Sequence, residues 1–218
     1  ATGEITIGKC RQYAQKQGNG YEQFYWNLSN LLKSLFVIQF KSLDSKTAMG
    51  YGLCKTENYS IGGTLNTNGM NYCASGTSPA QMKWLGIEDF YGSRMYWVDG
   101  VTTSGSGNNI SLKVTNVTNT SMMFENNDKT VATNLSEVSA GKFFTKIVGE
   151  NETGFAPQGD TGSSSTYYCT SSIFKGGYVA IYGSGRTSSD GGGAYGTQFV
   201  YSTTTAVDPF TGRLCYCG

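Results

Sequence analysis

The chain has 218 residues, a formal charge of +1 and only 14% charged residues. Its 16 basic residues are scattered, which argues against nucleic acid, because phosphate backbones are met by clustered Lys/Arg. The length suffices to bury a core without metals or disulfides, and no apolar run reaches the eighteen or so residues of a membrane span.

Residues 1–20 read as an N-terminal arm on a single domain covering 1–218. Tyr21, Phe24, Tyr25, Leu28, Leu31, Leu32 and Leu35 recur at three- and four-residue spacing, which predicts an amphipathic helix from Tyr21 to about Leu35. Residues 36–40 are either its continuation or a strand, a choice that short apolar runs do not settle. Ser42 to Met49 suggests a second short helix, ended by Gly50. Residues 50–79 are loop-like, rich in Gly, Asn and Thr. Strands are expected at 95–98, 110–117, 121–124, 142–148, 178–182, 198–201 and 213–217, with a long irregular stretch at 149–166. Helices first and short strands afterwards predict an α+β domain. Loops this long in a compact domain are often functional.

The block from Trp84 to Gly100 is dense in aromatics and glycines. Trp84, Tyr91, Tyr96 and Trp97 offer large areas for burial, with polar tips that need partners. Gly86, Gly92 and Gly100 allow tight turns. The block is expected to build the fold and to contact no ligand. Across the chain there are 30 Gly, 3 Pro and 15 Tyr. That composition suits binding loops, where Tyr gives contact area at low entropic cost. It also suits a β-rich protein with many turns.

The chain has no histidine, which removes Ser-His-Asp and Cys-His nucleophile pairs and His-ligated zinc. The acidic candidates Glu88, Asp89, Asp99, Glu150 and Asp160 are sparse and read more naturally as turn formers or solvated charges than as a glycosidase pair. Six cysteines stand at 10, 54, 73, 169, 215 and 217. They permit fifteen pairings into three bridges, or serve as small apolar residues, and free thiols are the preferred reading. Cys215 and Cys217 are the one close pair and would share a strand face. With Arg213 as the only basic neighbour, they lack the electropositive setting of a reactive thiolate. No catalytic residue, metal ligand or cofactor is expected. The seven Asn-x-Ser/Thr sequons would imply glycosylation in a eukaryotic secreted protein, but in a chain this rich in Asn, Ser and Thr many arise by chance.

Three stretches carry a family resemblance. Gly86 to Gly100 resembles the "GxENxWGNxxEWVDG" segment of C-type-lectin-fold proteins, found in formylglycine-generating-enzyme-like domains and in phage or bacterial variable adhesins. Residues 35–50 resemble the "LFLIxYxTLNSQxAIG" segment that precedes it in phage-type members. Residues 176–185 together with Gly212 to Tyr216 resemble their C-terminal region, ending "GARLxY". The chain departs at Ser93 and Arg94, where Asn-Val/Ile is usual, at Tyr96, where Glu is common, and at Thr211, where the alanine-bearing motif has no counterpart. The Glu-Pro-Asn and Gln-Pro-Asp tripeptides of calcium-dependent lectins are absent.

The resemblance implies a C-type-lectin-like α+β fold and a non-enzymatic recognition protein of a virion or extracellular surface. Its partners would be a host-surface glycan or protein and other virion subunits, with a homotrimer expected. In such adhesins diversity-generating retroelements can rewrite displayed positions in the C-terminal region, here 167–218. The candidate receptor-binding residues are Tyr182, Ser184, Arg186, Thr187, Ser189, Asp190, Tyr195, Gln198, Tyr201 and Thr203, since Tyr and Arg dominate binding hot spots. Trp84, Gly86, Gly92, Trp97, Gly100, Gly212 and Arg213 are the structural set. A decoration protein locking neighbouring virion subunits is the alternative. A cysteine-dependent oxidase like the formylglycine-generating relatives is the enzymatic rival.

Overall fold

The computed structural model describes residues 4–54, 56, 62–73, 80–116, 123–139, 143, 145–148, 156–159, 161–163, 165, 173–183, 193–208 and 210–217. The first fifty residues hold α1 (Ile7–Gln15), β1 (Tyr21–Gln23), α2 (Trp26–Phe40) and α3 (Ser45–Met49). Then come β2 (Tyr72–Cys73), β3 (Met82–Trp84), β4 (Ile87–Glu88), β5 (Met95–Ser104), β6 (Ile110–Val114) and β7 (Lys129–Leu135). The remainder is β8 (Lys146–Val148), β9 (Ala156–Gln158), β10 (Ile173–Phe174), β11 (Val179–Tyr182), β12 (Thr197–Tyr201), β13 (Phe210–Thr211) and β14 (Leu214–Tyr216). Among the described residues, three α-helices with mostly antiparallel strands make this an α+β chain.

The main sheet runs β10-β12-β11-β5-β6-β7, with β13 added beside β5. All pairings in it are antiparallel except β10 with β12 and β13 with β5. Both faces at its centre are covered, and side chains alternate between them. From β5 and β11, Tyr96, Val98, Ala180 and Tyr182 enter one apolar cluster with Phe24, Trp26 and Phe36. Trp97, Val179 and Ile181 enter a second with Ile7, Cys10 and Phe210. Burying each large side chain contributes about 1.5–3 kcal/mol. Phe36 is the hub of the first cluster, with ring centroids of Phe40, Trp84 and Tyr195 at 4.4, 5.1 and 6.1 Å.

β5 is broken by a bulge. Val179 pairs with Thr102 but Ala180 pairs with Val98, so Asp99, Gly100 and Val101 bow out of the ladder. The freed groups are used elsewhere. The Asp99 N–H donates to the Phe24 carbonyl and the Gly100 carbonyl accepts from Thr115. The buried Asp99 carboxylate receives Arg11 Nε and Nη2 at 2.8 and 2.9 Å, plus the Gly100 and Phe124 N–H groups. Arg11 in turn binds Glu125 and stacks on Phe124. This ties α1 to the middle of the sheet.

Several expectations are corrected. Within the expected N-terminal arm, residues 4–20 hold a helix packed on the core: Thr6 caps α1 by accepting from Lys9 N–H, and Ile7, Cys10 and Ala14 are buried. Tyr21 to Gln23 is not helical but pairs antiparallel with β14, Tyr21 opposite Tyr216, because the far end of the chain offers it a ladder. The helix starts at Trp26 and runs through Phe40, ending at Lys41 with φ 52°. Its buried face is Trp26, Ser29, Asn30, Leu32, Lys33 and Phe36, while Leu31 and Leu35 are 55% and 36% exposed. The helix is therefore rotated from the orientation its leucines suggest. α3 matches expectation, capped by the Asp44 carboxylate and closed by Gly50. Of the strand expected at 121–124, Ser121 and Met122 lie outside the described residues and Phe124–Asn126 is a 3₁₀ turn. Within 149–166, β9 pairs with β8.

Candidate functional site

The large aromatic side chains of the block pack into the fold, while Gly86, Glu88, Asp89, Phe90 and Arg94 also line a cleft. Trp84, Tyr91 and Trp97 are fully buried, and every polar tip finds a partner. Trp84 Nε1 donates to Gln39 Oε1, Trp97 Nε1 to the Ile5 carbonyl, and Tyr96 Oη to the Asp89 carbonyl. Tyr91 Oη contacts the carbonyls of Ser45 and Gly50 at 2.8 and 2.9 Å. Gly92 has φ +84°, and a Cβ there would lie 2.5 Å from the Tyr51 carbonyl oxygen. At Gly212 a Cβ would meet Gln23 Oε1 and Cys10 Cβ at 2.6 and 2.8 Å. Gly86 and Gly100 also take positive φ.

The C-terminal tract divides in two. Tyr182, expected on a displayed surface, is 1% exposed at the end of β11. Its ring packs on Phe24 and Phe90 at 5.9 and 5.5 Å and lies under the Lys33 ammonium at 5.3 Å. Tyr195 is buried edge-on to Phe36, its hydroxyl donating to the Ser42 carbonyl. Gln198 is buried within β12. All three expectations of display are corrected: Tyr182 and Gln198 lie on β11 and β12 inside a sheet covered on both faces, and Tyr195 sits in a 3₁₀ turn packed against α3 and Phe36. Tyr201 is half-buried against Phe210, and Thr203 is exposed in the turn after β12. Ser184, Arg186, Thr187, Ser189 and Asp190 lie outside the described residues.

What brackets residues 184–192 is well defined. The Gly183 N–H donates to the Gly196 carbonyl at 2.9 Å. The Ala194 N–H donates to Ser45 Oγ at 2.8 Å, fixing the 3₁₀ turn Gly193–Tyr195 against α3.

A cleft of about 700 Å³ opens between α2, the β3–β4 hairpin and β14. Leu28, Leu32, Phe90, Leu214 and Tyr216 give it apolar walls, and Arg94, Arg213, Glu88 and Asp89 bring charge. Arg213 Nη2 donates to the Glu88 and Asp89 carbonyls at 3.1 and 3.0 Å, with the guanidinium stacked 4.3 Å above the Tyr96 ring. A second cleft, about 390 Å³, lies across the Thr211–Leu214 segment and is lined by Ile5, Cys10 and Tyr13. Arg213, expected in the structural set, lines a cleft that no sequence motif marks. The only signal available was an arginine beside a glycine that must be tightly packed.

Chemistry by thiols or carboxylates finds little support in this geometry. Burial pushes the Cys10 and Cys215 thiols up to about 12, so both are protonated at neutral pH. Cys10, Cys215 and Cys217 are outside any disulfide, and Cys169 lies outside the described residues. The Glu88 carboxylate accepts the Gly63 and Leu65 N–H groups, and Asp99 is held by Arg11. Glu150 and Asp160 lie outside the described residues. Among the described residues no cluster of three or more Cys, Asp or Glu is arranged to hold a metal ion, and no helix is long and apolar enough to cross a membrane.

Comparison with known proteins returns no match: no family model fits the chain, and no curated protein or solved structure is similar to it.

Proposed function

We propose that this chain is a non-enzymatic recognition domain of C-type-lectin-like architecture on a virion or cell surface, and that residues 184–192 contact its receptor. The observation that carries this reading is the fixing of both ends of that stretch. Gly183 is bonded to Gly196, Ala194 to α3, and the flanking Tyr182 and Tyr195 rings sit in the core. Between these anchors the sequence is Ser-Gly-Arg-Thr-Ser-Ser-Asp-Gly-Gly, adaptable polar residues held on a rigid frame. Helices followed by short antiparallel strands accord with the lectin-like resemblance. The protonated Cys10 and Cys215 thiols weigh against the cysteine-dependent oxidase, since the thiolate is the reactive form. Alkylation at pH 8 tests this: Cys10 and Cys215 of the native protein react far more slowly than in the unfolded chain, and rapid native reaction would revive the enzymatic reading.

The receptor is a glycan or protein on a host surface. The test is flow cytometry of labelled protein on a panel of bacterial cells, with Arg186→Ala/Thr187→Ala/Ser189→Ala/Asp190→Ala as comparison. Wild-type binding lost in the variant at unchanged Tm supports the reading. Equal binding by both removes residues 184–192 from the interface.

A second reading, a decoration protein or homotrimer packing on neighbouring subunits, is favoured by one feature. Leu31, Leu35 and Ile38 stand at helical spacing on the outer face of α2, with Ile38 71% exposed. Light scattering decides it: a trimer broken by Leu31→Glu/Ile38→Glu supports that face as an interface, and a wild-type monomer excludes self-association there.

A further inference from the structure

We propose that the cleft beside Arg213 binds a small carboxylate with an apolar body. The proposal stands apart from residues 184–192 and needs none of them.

Arg213 supplies the charge. Its Nη2 is committed to two backbone carbonyls, which are neutral acceptors. Neither ion pair among the described residues involves it. Its Nε and Nη1 donate to no protein group there, and the residue lines the cleft. A guanidinium does not lose its proton, so the half-buried charge gains most from an anionic acceptor, with which each bond is charge-assisted.

The acidic residues in the same wall do not neutralise it. The Glu88 carboxylate is turned to the backbone N–H groups of Gly63 and Leu65 at 2.7 and 2.9 Å. That of Asp89 accepts from Gln81 Nε2 at 3.0 Å. Arg94 also lines the cleft.

A second donor stands unused. Tyr182 contributes to the same lining, and its buried hydroxyl has no hydrogen-bond partner. Leaving such a group unmet costs about 1–3 kcal/mol, and because the atom is closed to solvent an acceptor in the cleft reaches it only if the ring shifts. Burial pushes the pKa of this phenol up and the Arg213 charge opposes that rise, so the two groups share one electrostatic neighbourhood.

The walls define the rest of the ligand. Leu28, Leu32, Phe90 and Leu214 face the space. A volume of about 700 Å³ falls in the range that encloses a small organic molecule. A bare inorganic anion would leave these walls wet, whereas an acyl or aryl group, or an apolar C-terminal residue of a peptide, fills them.

The test is titration of ¹⁵N-labelled protein, followed by NMR, with phenylacetate, hexanoate and N-acetyl-Phe-Leu, the primary amide of each, and acetate alone. The free acids and the peptide distinguish the two sources of the carboxylate. The expected result is saturable shifts at Leu28, Leu32 and Leu214 with at least one apolar carboxylate, and affinity at least about tenfold weaker for its amide, the loss of one charge-assisted bond. Arg213→Ala removes two bonds to the β4 turn and is liable to unfold it. The informative variant is Leu214→Glu, at a half-exposed position, which adds a negative charge to the wall and leaves the Arg213 contacts in place. It is expected to weaken binding by a similar factor, and Leu214→Gln to weaken it less. The proposal is overturned if no compound shifts the cleft, if acid and amide bind equally, if acetate binds as well as the larger acids, or if Leu214→Glu binds unchanged.

Discussion

The block from Trp84 to Gly100 and the tract from Tyr178 to Thr203 look alike as sequence, both dense in tyrosine and glycine. They are used differently. In the block the aromatic rings are buried and each polar tip is bonded, chiefly to backbone carbonyls. In the tract Tyr182 and Tyr195 are buried as well, but as the two posts of an intervening stretch, and the Tyr182 hydroxyl is left without a partner. A tyrosine count therefore does not separate anchor from contact. Position relative to a doubly covered sheet does.

The comparison can be pressed by substitutions that rank the regions. The largest effect belongs to the bulge inside the block. Asp99→Ala leaves Arg11 only the exposed Glu125 carboxylate and strands the Gly100 and Phe124 N–H groups, and is expected to cost about 3–5 kcal/mol, the penalty for breaking a buried pair, read by chemical denaturation. Gly92→Ala follows, at about 1–3 kcal/mol for the left-handed backbone alone, increased by the approach to Tyr51. A melting curve unchanged in either variant would deny that the block is a rigid wedge.

The posts of the tract give smaller and opposite results. Tyr195→Phe loses the bond to Ser42 and should cost about 0.5–1.5 kcal/mol. Tyr182→Phe removes a buried hydroxyl that has no partner, so stability is expected to hold or rise. Equal losses from the two would mean that the Tyr182 hydroxyl is bonded after all. Smallest is the Arg186/Thr187/Ser189/Asp190 alanine variant, expected to stay within about 0.5 kcal/mol of wild type while its binding falls.

How much of this could be seen in the chain beforehand follows from where local pattern and tertiary contact agree. α3 was legible because Asp44 and Gly50 are local start and stop signals. The strands at β5, β11 and β12 were legible from apolar runs. α1 was missed although Thr6 caps it and Ile7, Cys10 and Ala14 mark a face, because nine residues with a charged remainder give a weak periodic signal. Tyr21 to Gln23 was misassigned because its partner β14 lies almost two hundred residues away. The orientation of α2 was misread because its inner face buries Ser29, Asn30 and Lys33. Lys33 is tolerated there through Thr197 Oγ1 at 2.9 Å and the rings of Trp26 and Tyr182. No periodicity rule places a lysine inward. The Arg213 cleft escaped notice because it is assembled from α2, β4 and β14, elements that no short motif links.

The central claim is that residues 184–192 recognise a receptor from a frame that does not depend on them. Replacing them with a Gly/Ser stretch of equal length, and measuring thermal unfolding and cell binding on the same sample, tests both halves together. The account predicts an unchanged Tm and abolished binding. A lowered Tm would show that these residues belong to the frame, and retained binding would place the receptor surface elsewhere on the molecule.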